Sequence, residues 1–392
     1  MQARRNAAAS SAAWDTESSL EELAQLVNTA GGVVVGQAVQ KLNTPSPASY
    51  IGSGKLNDIV AQRSASGYTM VVFDDELSPS QQRNLERALD VKVLDRTALI
   101  LDIVAMRART REGRLQVDLA QSEYLLPRLA GQWSHLERLG GSGAQGTIGV
   151  RGPGETQLET DRRLARNKIA RLKREIEQVR KQRSLYRYQR ARAGVPVVAL
   201  VGYTNAGKST LMRALTRADV LIEDRLFATL DPVTRRLRLP SARTALLTDT
   251  VGFIQKLPTQ LVAAFQATLE ELAEADLLLH VVDLTHPDAA QQGQTVDDTL
   301  AELGLSDKPY ITAFNKIDLL VEHDGNSITD LEELAMFDLS LAAHRPDAIL
   351  CSAERRWGLD ELLVRIDEAL LRVKEAKAPA SSRRDAWAGA SS

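Results

Sequence analysis

The chain has 392 residues, 44% hydrophobic and 26% charged, with a net charge of −2 and 17 aromatics (4 Trp, 7 Tyr, 6 Phe); that length exceeds what one core holds and predicts two domains with a connecting element. The composition excludes a fibre or a disulfide scaffold, and the single cysteine, Cys351, fits a reducing compartment. No apolar run reaches the roughly 18 to 20 residues of a membrane span, so a soluble chain is expected; a cytoplasmic monomer is the preferred reading.

Residues 1–18 read as a disordered or targeting segment. Residues 1–14 hold two Arg, no acid and many Ala and Ser, a composition shared by transit peptides and ordinary disordered starts. The second reading is preferred, and an organelle is the alternative location. Residues 19–111 then alternate helical and β-rich stretches: SLEELAQLVNTAGG, the β-rich run VVVGQAV, an amphipathic segment after Gly52, TMVVFDD, a helix started by Pro79, and VKVLD. Such alternation predicts a small α/β domain with parallel strands.

Residues 112–193 predict a two-helix arm. Residues 112–139 read as helix, and residues 140–154 hold seven glycines, which predicts a loop. From Leu158 to about Arg192, Ala165, Ile169, Leu172, Ile176 and Val179 recur at spacings of 4, 3, 4 and 3, a heptad seam for pairing with the helix before the loop. Residues 194–372 predict a second α/β domain, with strand candidates VPVVALV, RTALLTD, DLLLHVVD and PYITAFN, and residues 373–392 a disordered tail. The five histidines are scattered, and His280, inside LLLHVVDL, reads as a core residue.

The strongest motif is GYTNAGKST, which sets Gly202, Tyr203, Thr204, Asn205, Ala206, Gly207, Lys208 and Ser209 between a strand and a helix. It matches G-x-x-x-x-G-K-[ST]: backbone N–H groups and the helix N-terminus cradle phosphates, Lys208 reaches the terminal phosphates, and Ser209 ligates Mg²⁺. The choice of base comes from NKID, Asn315, Lys316, Ile317 and Asp318, at the end of strand PYITAF. Asp318 can accept two hydrogen bonds from guanine, whereas adenine would leave the carboxylate mispaired.

DTVG, Asp249, Thr250, Val251 and Gly252, offers a carboxylate to the metal's surroundings and the Gly252 N–H to a γ-phosphate. FATLD, Phe227, Ala228, Thr229, Leu230 and Asp231, contains Thr229 as a second candidate Mg²⁺ ligand, with Thr234 as the lesser choice. In CSAERR, Ser352, Ala353 and Glu354 are candidate guanine contacts. Catalytic work falls to Lys208, Thr229 and Gly252.

Together these motifs resemble the translation-factor-like P-loop GTPases, whose sheets are mostly parallel with helices on both faces. VVFDDELSPSQQRNLERAL at 71–89, DRTALILDI with RARTREGRLQVDLAQ at 95–121, and GPGETQLETDRR at 152–163 resemble the HflX family specifically. The resemblance covers about residues 19–372. It implies an N-terminal HflX domain with its arm, GTP or GDP held with Mg²⁺, binding to the large ribosomal subunit and its rRNA, and splitting or rescue of stalled ribosomes. Some family members are reported to use ATP through the N-terminal domain, yet residues 19–139 contain no P-loop pattern, and YIGSGKL at 50–56 falls short of one. There are three departures from the family pattern. No sequence for a small C-terminal domain follows Leu371, the opening strand before Ser19 is missing, and Glu354 stands where Lys is common. A fragment or short form is therefore expected.

Where a DxxGQ motif carries the water-orienting glutamine, this chain has Phe253, so the isolated protein is expected to hydrolyse GTP slowly. Between Arg162 and Arg192 there are 13 Arg or Lys against Glu175 and Glu177, a local charge of +11 suited to RNA phosphates or to a plain solvated face. Tyr186 and Tyr188, among Arg183, Arg187 and Arg190, can stack on bases or simply pack. The tip of the glycine loop is expected to touch rRNA. Two other functions stay open: an ATP-dependent rRNA-remodelling enzyme, and a ribosome-binding module for which GTP is only an occupancy signal.

Overall fold

The computed structural model describes residues 16–129, 153–192, 194–216, 226–227, 229, 231–256, 265–320 and 348–377. The chain divides into two compact units, Met1–Ile100 and Leu101–Ser392.

In the first unit, α1 (Thr16–Thr29) buries Ser19, Glu22, Leu23 and Leu26, one helical face at the expected 3.6-residue period. Helix α2 (Ser53–Ser66) stops at Gly67, whose φ of 62° suits a left-handed C-cap. Strands β1 (Met70–Phe73) and β2 (Lys92–Asp95) pair in parallel, from Met70 opposite Lys92 to Phe73 opposite Asp95. Between them α3 (Pro79–Leu89) opens with a capping box, Ser78 and Gln81 each satisfying the other's backbone N–H, and with Pro79 where its missing donor costs nothing. Phe73, Leu77, Leu85, Leu89 and Val93 form the core.

The strand expected in VVVGQAV is a correction. Residues 33–39 carry no ladder, and Val33 is 82% and Val35 57% exposed. An apolar run becomes a strand only where a neighbour supplies backbone partners.

Helix α4 (Arg96–Arg107) carries the chain from the first unit into the second. The arm consists of α5 (Arg111–Leu125), continued by a 3₁₀ turn at Leu126–Arg128, and α6 (Pro153–Arg192). The 3₁₀ turn interrupts the expected helix at Pro127, which has no N–H for the ladder, and Leu129 is helical again. The rest of the expected helix and most of the glycine loop lie outside the described residues, while Pro153 and Gly154 already belong to α6. The heptad reading holds where it can be followed: Leu172 and Ile176 are buried against Leu119, with Leu115 and Ile169 beside them. Lys173 to Glu123 at 2.8 Å adds an ion pair along the seam.

The second unit is built on a six-stranded sheet, ordered β4 (Val233–Arg238), β5 (Thr244–Asp249), β3 (Val197–Gly202), β6 (Leu277–Asp283), β7 (Tyr310–Asn315) and β8 (Ile349–Leu350). Only β4, on one edge, runs antiparallel. Val281 and Ala313 join a core with α7 (Lys208–Thr216) and α10 (Leu359–Lys377). Their neighbours Val282 and Phe314 join a second core with Ala289 of α9 (Ala289–Glu302). Since successive strand residues point to opposite faces, both faces of the sheet are covered. Helix α8 (Gln266–Glu274) precedes β6. No helix among the described residues is long and apolar enough to cross a membrane.

Candidate nucleotide-binding site

The chain leaves β3 for its two neighbours in opposite directions, β5 on one side and β6 on the other, and ligands of such sheets bind at the carboxyl ends beside this reversal. The four motifs gather there: the glycine loop follows β3, DTVG straddles the end of β5, NKID the end of β7, and CSAERR follows β8.

Glycine is required at two positions of the loop. Gly202 has φ 152° and Gly207 φ 92°. A Cβ on Gly202 would run into the Val281 carbonyl, and one on Gly207 into the Asn315 amide. Helix α7 begins at Lys208, so its first N–H groups lack intrahelical partners and face the loop's end. Thr204 N–H donates to the Phe253 carbonyl at 2.8 Å and Phe253 N–H to the Gly202 carbonyl at 3.0 Å, stitching the loop to the segment after DTVG. The Tyr203 hydroxyl accepts from Gln255 N–H at 2.8 Å.

Lys208 is buried, and its ammonium donates to the carbonyls of Gly202 at 3.1 Å and Tyr203 at 2.7 Å. Burial pushes its pKa down to about 8, against the opposing pull of Asp249. Ser209 Oγ donates to Asp249 Oδ2 at 2.6 Å, Thr229 Oγ1 donates to the same oxygen at 2.9 Å, and the two hydroxyls lie 2.9 Å apart. Burial raises the Asp249 pKa, opposed by Lys208 and by the hydrogen bonds it accepts. Its Oδ1 is buried without a hydrogen-bond partner among the described residues. Two hydroxyls and a carboxylate with a spare buried oxygen form an all-oxygen donor set, the kind a hard divalent cation takes. Thr234 is elsewhere, its hydroxyl 3.0 Å from that of Thr248.

Asn315, 2% exposed, donates from Nδ2 to the Ala206 carbonyl at 3.0 Å and accepts at Oδ1 from Ala353 N–H at 3.0 Å, tying the glycine loop to the β8 loop. Lys316 sits at φ 68° with its ammonium 2.8 Å from Asp283, a partner that sequence reasoning missed. Asp318 is half-buried in the 3₁₀ turn after it. Ser352 and Ala353 are buried, whereas Glu354 is exposed and lies 3.6 Å from Arg213 of α7. Phe253 is 4% exposed and lines a cavity of about 570 Å³ with Phe265, just before α8, and with Leu269 and Leu272 of that helix.

Of the FATLD residues, Phe227 is buried with its ring stacked 6.3 Å from Phe265, and Ala228 and Leu230 lie outside the described residues. Asp231 faces the arm: Oδ2 accepts from the N–H groups of Arg109 at 3.0 Å and Thr110 at 2.8 Å, and Oδ1 accepts from the Thr110 hydroxyl. Nothing local in FATLD announces that contact.

A phosphate loop after the first parallel strand of this sheet, with a guanine-type NKID loop beside it, defines a P-loop GTPase domain. Three family models match the chain: "GTP-binding GTPase N-terminal" over residues 17–105, "GTP-binding GTPase Middle Region" over 107–190 and "50S ribosome-binding GTPase" over 197–316. The GTPase HflX of Caldanaerobacter subterraneus is 48% identical over 362 residues, 92% of this chain and 79% of that protein. Its Escherichia coli counterpart is 44% identical over 351 residues, 90% and 79% respectively. The chain belongs to the HflX family of GTPases. Among solved structures, a GTP-binding protein of Sulfolobus solfataricus in complex with GDP is 25% identical, covering 90% of this chain and 96% of that one at a TM-score of 0.45.

Proposed function

We propose that this chain hydrolyses GTP to GDP and phosphate with Mg²⁺ and does so on the large ribosomal subunit, splitting or rescuing stalled ribosomes as a cytoplasmic monomer. The convergence of Ser209, Thr229 and Asp249 carries the chemical part of this reading. The two hydroxyls would hold the ion directly, and Asp249 would hold its surroundings. A bound Mg²⁺ would neutralise charge between the terminal phosphates.

In this reading Gly202 to Ser209 wrap the phosphates, Lys208 leaves its two carbonyl partners for the terminal phosphates, and Gly252 N–H meets the γ-phosphate. Asp318 reads the guanine edge, while Asn315 keeps the surrounding loops in register and Lys316, Ser352 and Ala353 line the base. The buried Phe253 offers no hydrogen bond to water, so the attacking water is oriented by something outside this segment, and docking on the ribosome supplies it.

The arm is the RNA-facing element. Along α6, Arg163, Arg166, Lys168, Arg171, Lys173 and Arg174 are exposed; Lys168, Arg171 and Lys173 lie beside Asp118, Glu175 and Glu123, and the cations together suit a phosphate backbone. The side chains of Tyr186 and Tyr188 lie outside the described residues, as does the tip of the glycine loop.

Phe253 also favours a second reading, a ribosome-binding module that uses GTP as an occupancy signal. Multiple-turnover hydrolysis with ribosomes present separates the two. Many phosphates released per protein support the enzyme, and release stopping at one equivalent supports the occupancy switch.

A further inference from the structure

The Asp231 carboxylate holds Thr110, the N-cap residue of α5, 121 residues away in sequence. It accepts the N–H groups of Arg109 and Thr110 and the Thr110 hydroxyl, while Thr110 Oγ1 in turn accepts Gly113 N–H at 3.0 Å. A Cβ at Gly113 would run into Asp231 Oδ1, so the glycine makes room for the carboxylate. A negative charge against the first turn of α5 is also favoured by the helix dipole.

Asp231 lies two residues beyond Thr229, and two residues span at most about 7 Å. Fixing the carboxylate on α5 therefore restricts where the Thr229 hydroxyl can go, and it sits 2.9 Å from both Ser209 and Asp249. Helix α5 is itself braced. Buried Glu112 pairs with Arg183 of α6 at 2.7 Å, and Arg180, one turn earlier on α6, pairs with Glu270 of α8 at 2.7 Å. The arm thus grips the Thr229 segment through α5 and, through α6, the helix that follows the Gly252 segment.

We propose that Asp231 is a positioning residue: by gripping the Thr110 N-cap of α5 it holds Thr229 on the metal-binding hydroxyl pair, so that a load on the arm is passed to the hydrolytic site. The contact works in both directions, since a nucleotide that orders Thr229 would also tighten the start of α5. This rests on the GTPase reading above.

The test uses the full chain and Asp231→Asn, which keeps the shape but turns an amide donor toward a set of donors. Thr110→Ala attacks the contact from the other side, and Thr110→Ser should rescue it. Three quantities are read: kcat and KM for GTP, the Mg²⁺ concentration for half-maximal rate, and amide hydrogen exchange at residues 109–114 with a non-hydrolysable GTP analogue or GDP.

We expect Asp231→Asn to lower kcat about tenfold and raise the Mg²⁺ requirement several-fold, with KM changed by no more than about twofold. In the unsubstituted chain, exchange at 109–114 should be slower with the GTP analogue than with GDP, and Asp231→Asn should erase that difference. Wild-type kcat and Mg²⁺ requirement in folded Asp231→Asn, or nucleotide-independent exchange in the unsubstituted chain, would overturn the proposal. If Asp231→Asn does not fold, Thr110→Ala and the exchange comparison decide. Absence of nucleotide binding or turnover in the unsubstituted chain would instead sink the GTPase reading, and this inference with it.

Discussion

Ser209 Oγ donates to Asp249 Oδ2 at 2.6 Å, joining the first turn of α7 to the last residue of β5 across 40 positions of sequence. The glycine loop can turn tightly enough to bring them together only because Gly202 and Gly207 carry no side chain. The hydroxyl is then presented at the carboxyl end of the sheet beside Thr229 and Lys208.

Removing that hydroxyl should weaken the metal site without unfolding the domain. Ser209→Ala is expected to raise the Mg²⁺ concentration for half-maximal GTP hydrolysis by at least about tenfold. The check is a Mg²⁺ titration of turnover, and an unchanged midpoint would remove Ser209 from the donor set.

Guanine preference should reside in one carboxylate. Asp318→Asn exchanges an acceptor for a partial donor, so GTP affinity should fall on the order of 10²-fold while binding of xanthosine triphosphate rises. Competition against a fluorescent GTP analogue reads both, and parallel loss of both nucleotides would mean that the loop had collapsed.

Gly252 is hemmed in: a Cβ there would lie 2.7 Å from Thr204 Cα and 3.0 Å from the Lys208 ammonium. Gly252→Ala should therefore lower turnover about 10²-fold, with GDP affinity held within a few-fold. Single-turnover hydrolysis alongside GDP titration distinguishes this from a general loss of binding.

Cys351 gives a prediction that depends on pH. Burial, with a contribution from the charge of Asp318, pushes its thiol up to about 12 from an ordinary value near 9. Below about 9 both folded and unfolded thiols are protonated; above it the unfolded chain ionises first and binds fewer protons than the folded one. The stability linked to this group is thus present below about 9 and lost as pH rises toward 12. Alkylation at pH 8 should follow unfolding, accelerating with denaturant, and fast alkylation of the native protein would contradict the burial.

The nucleotide motifs were legible because each is a short local string bound to one strand end; Lys208 and Asp318 needed only their neighbours to be recognised. The arm seam through Leu172 and Ile176 was legible from its period. The contact of Asp231 with Thr110 was not legible because its partner lies 121 residues away. Strand β4, VTRRLR, escaped notice because its edge position leaves Arg235, Arg236 and Arg238 exposed and only Leu237 buried. The opposite error arose at VVVGQAV, whose composition suits a strand but which pairs with no neighbour among the described residues. Edge strands and unpaired runs are decided by what lies beside them, which composition does not encode.

The most direct measurement is GTP hydrolysis by the full chain with and without purified large ribosomal subunits, at two salt concentrations, with Lys208→Ala as the inactive control. Slow turnover alone and strong stimulation by subunits that fades at the higher salt would match a buried Phe253 and a docked basic arm. Equal turnover with and without subunits would contradict ribosome activation and leave the cationic row of α6 without its proposed partner.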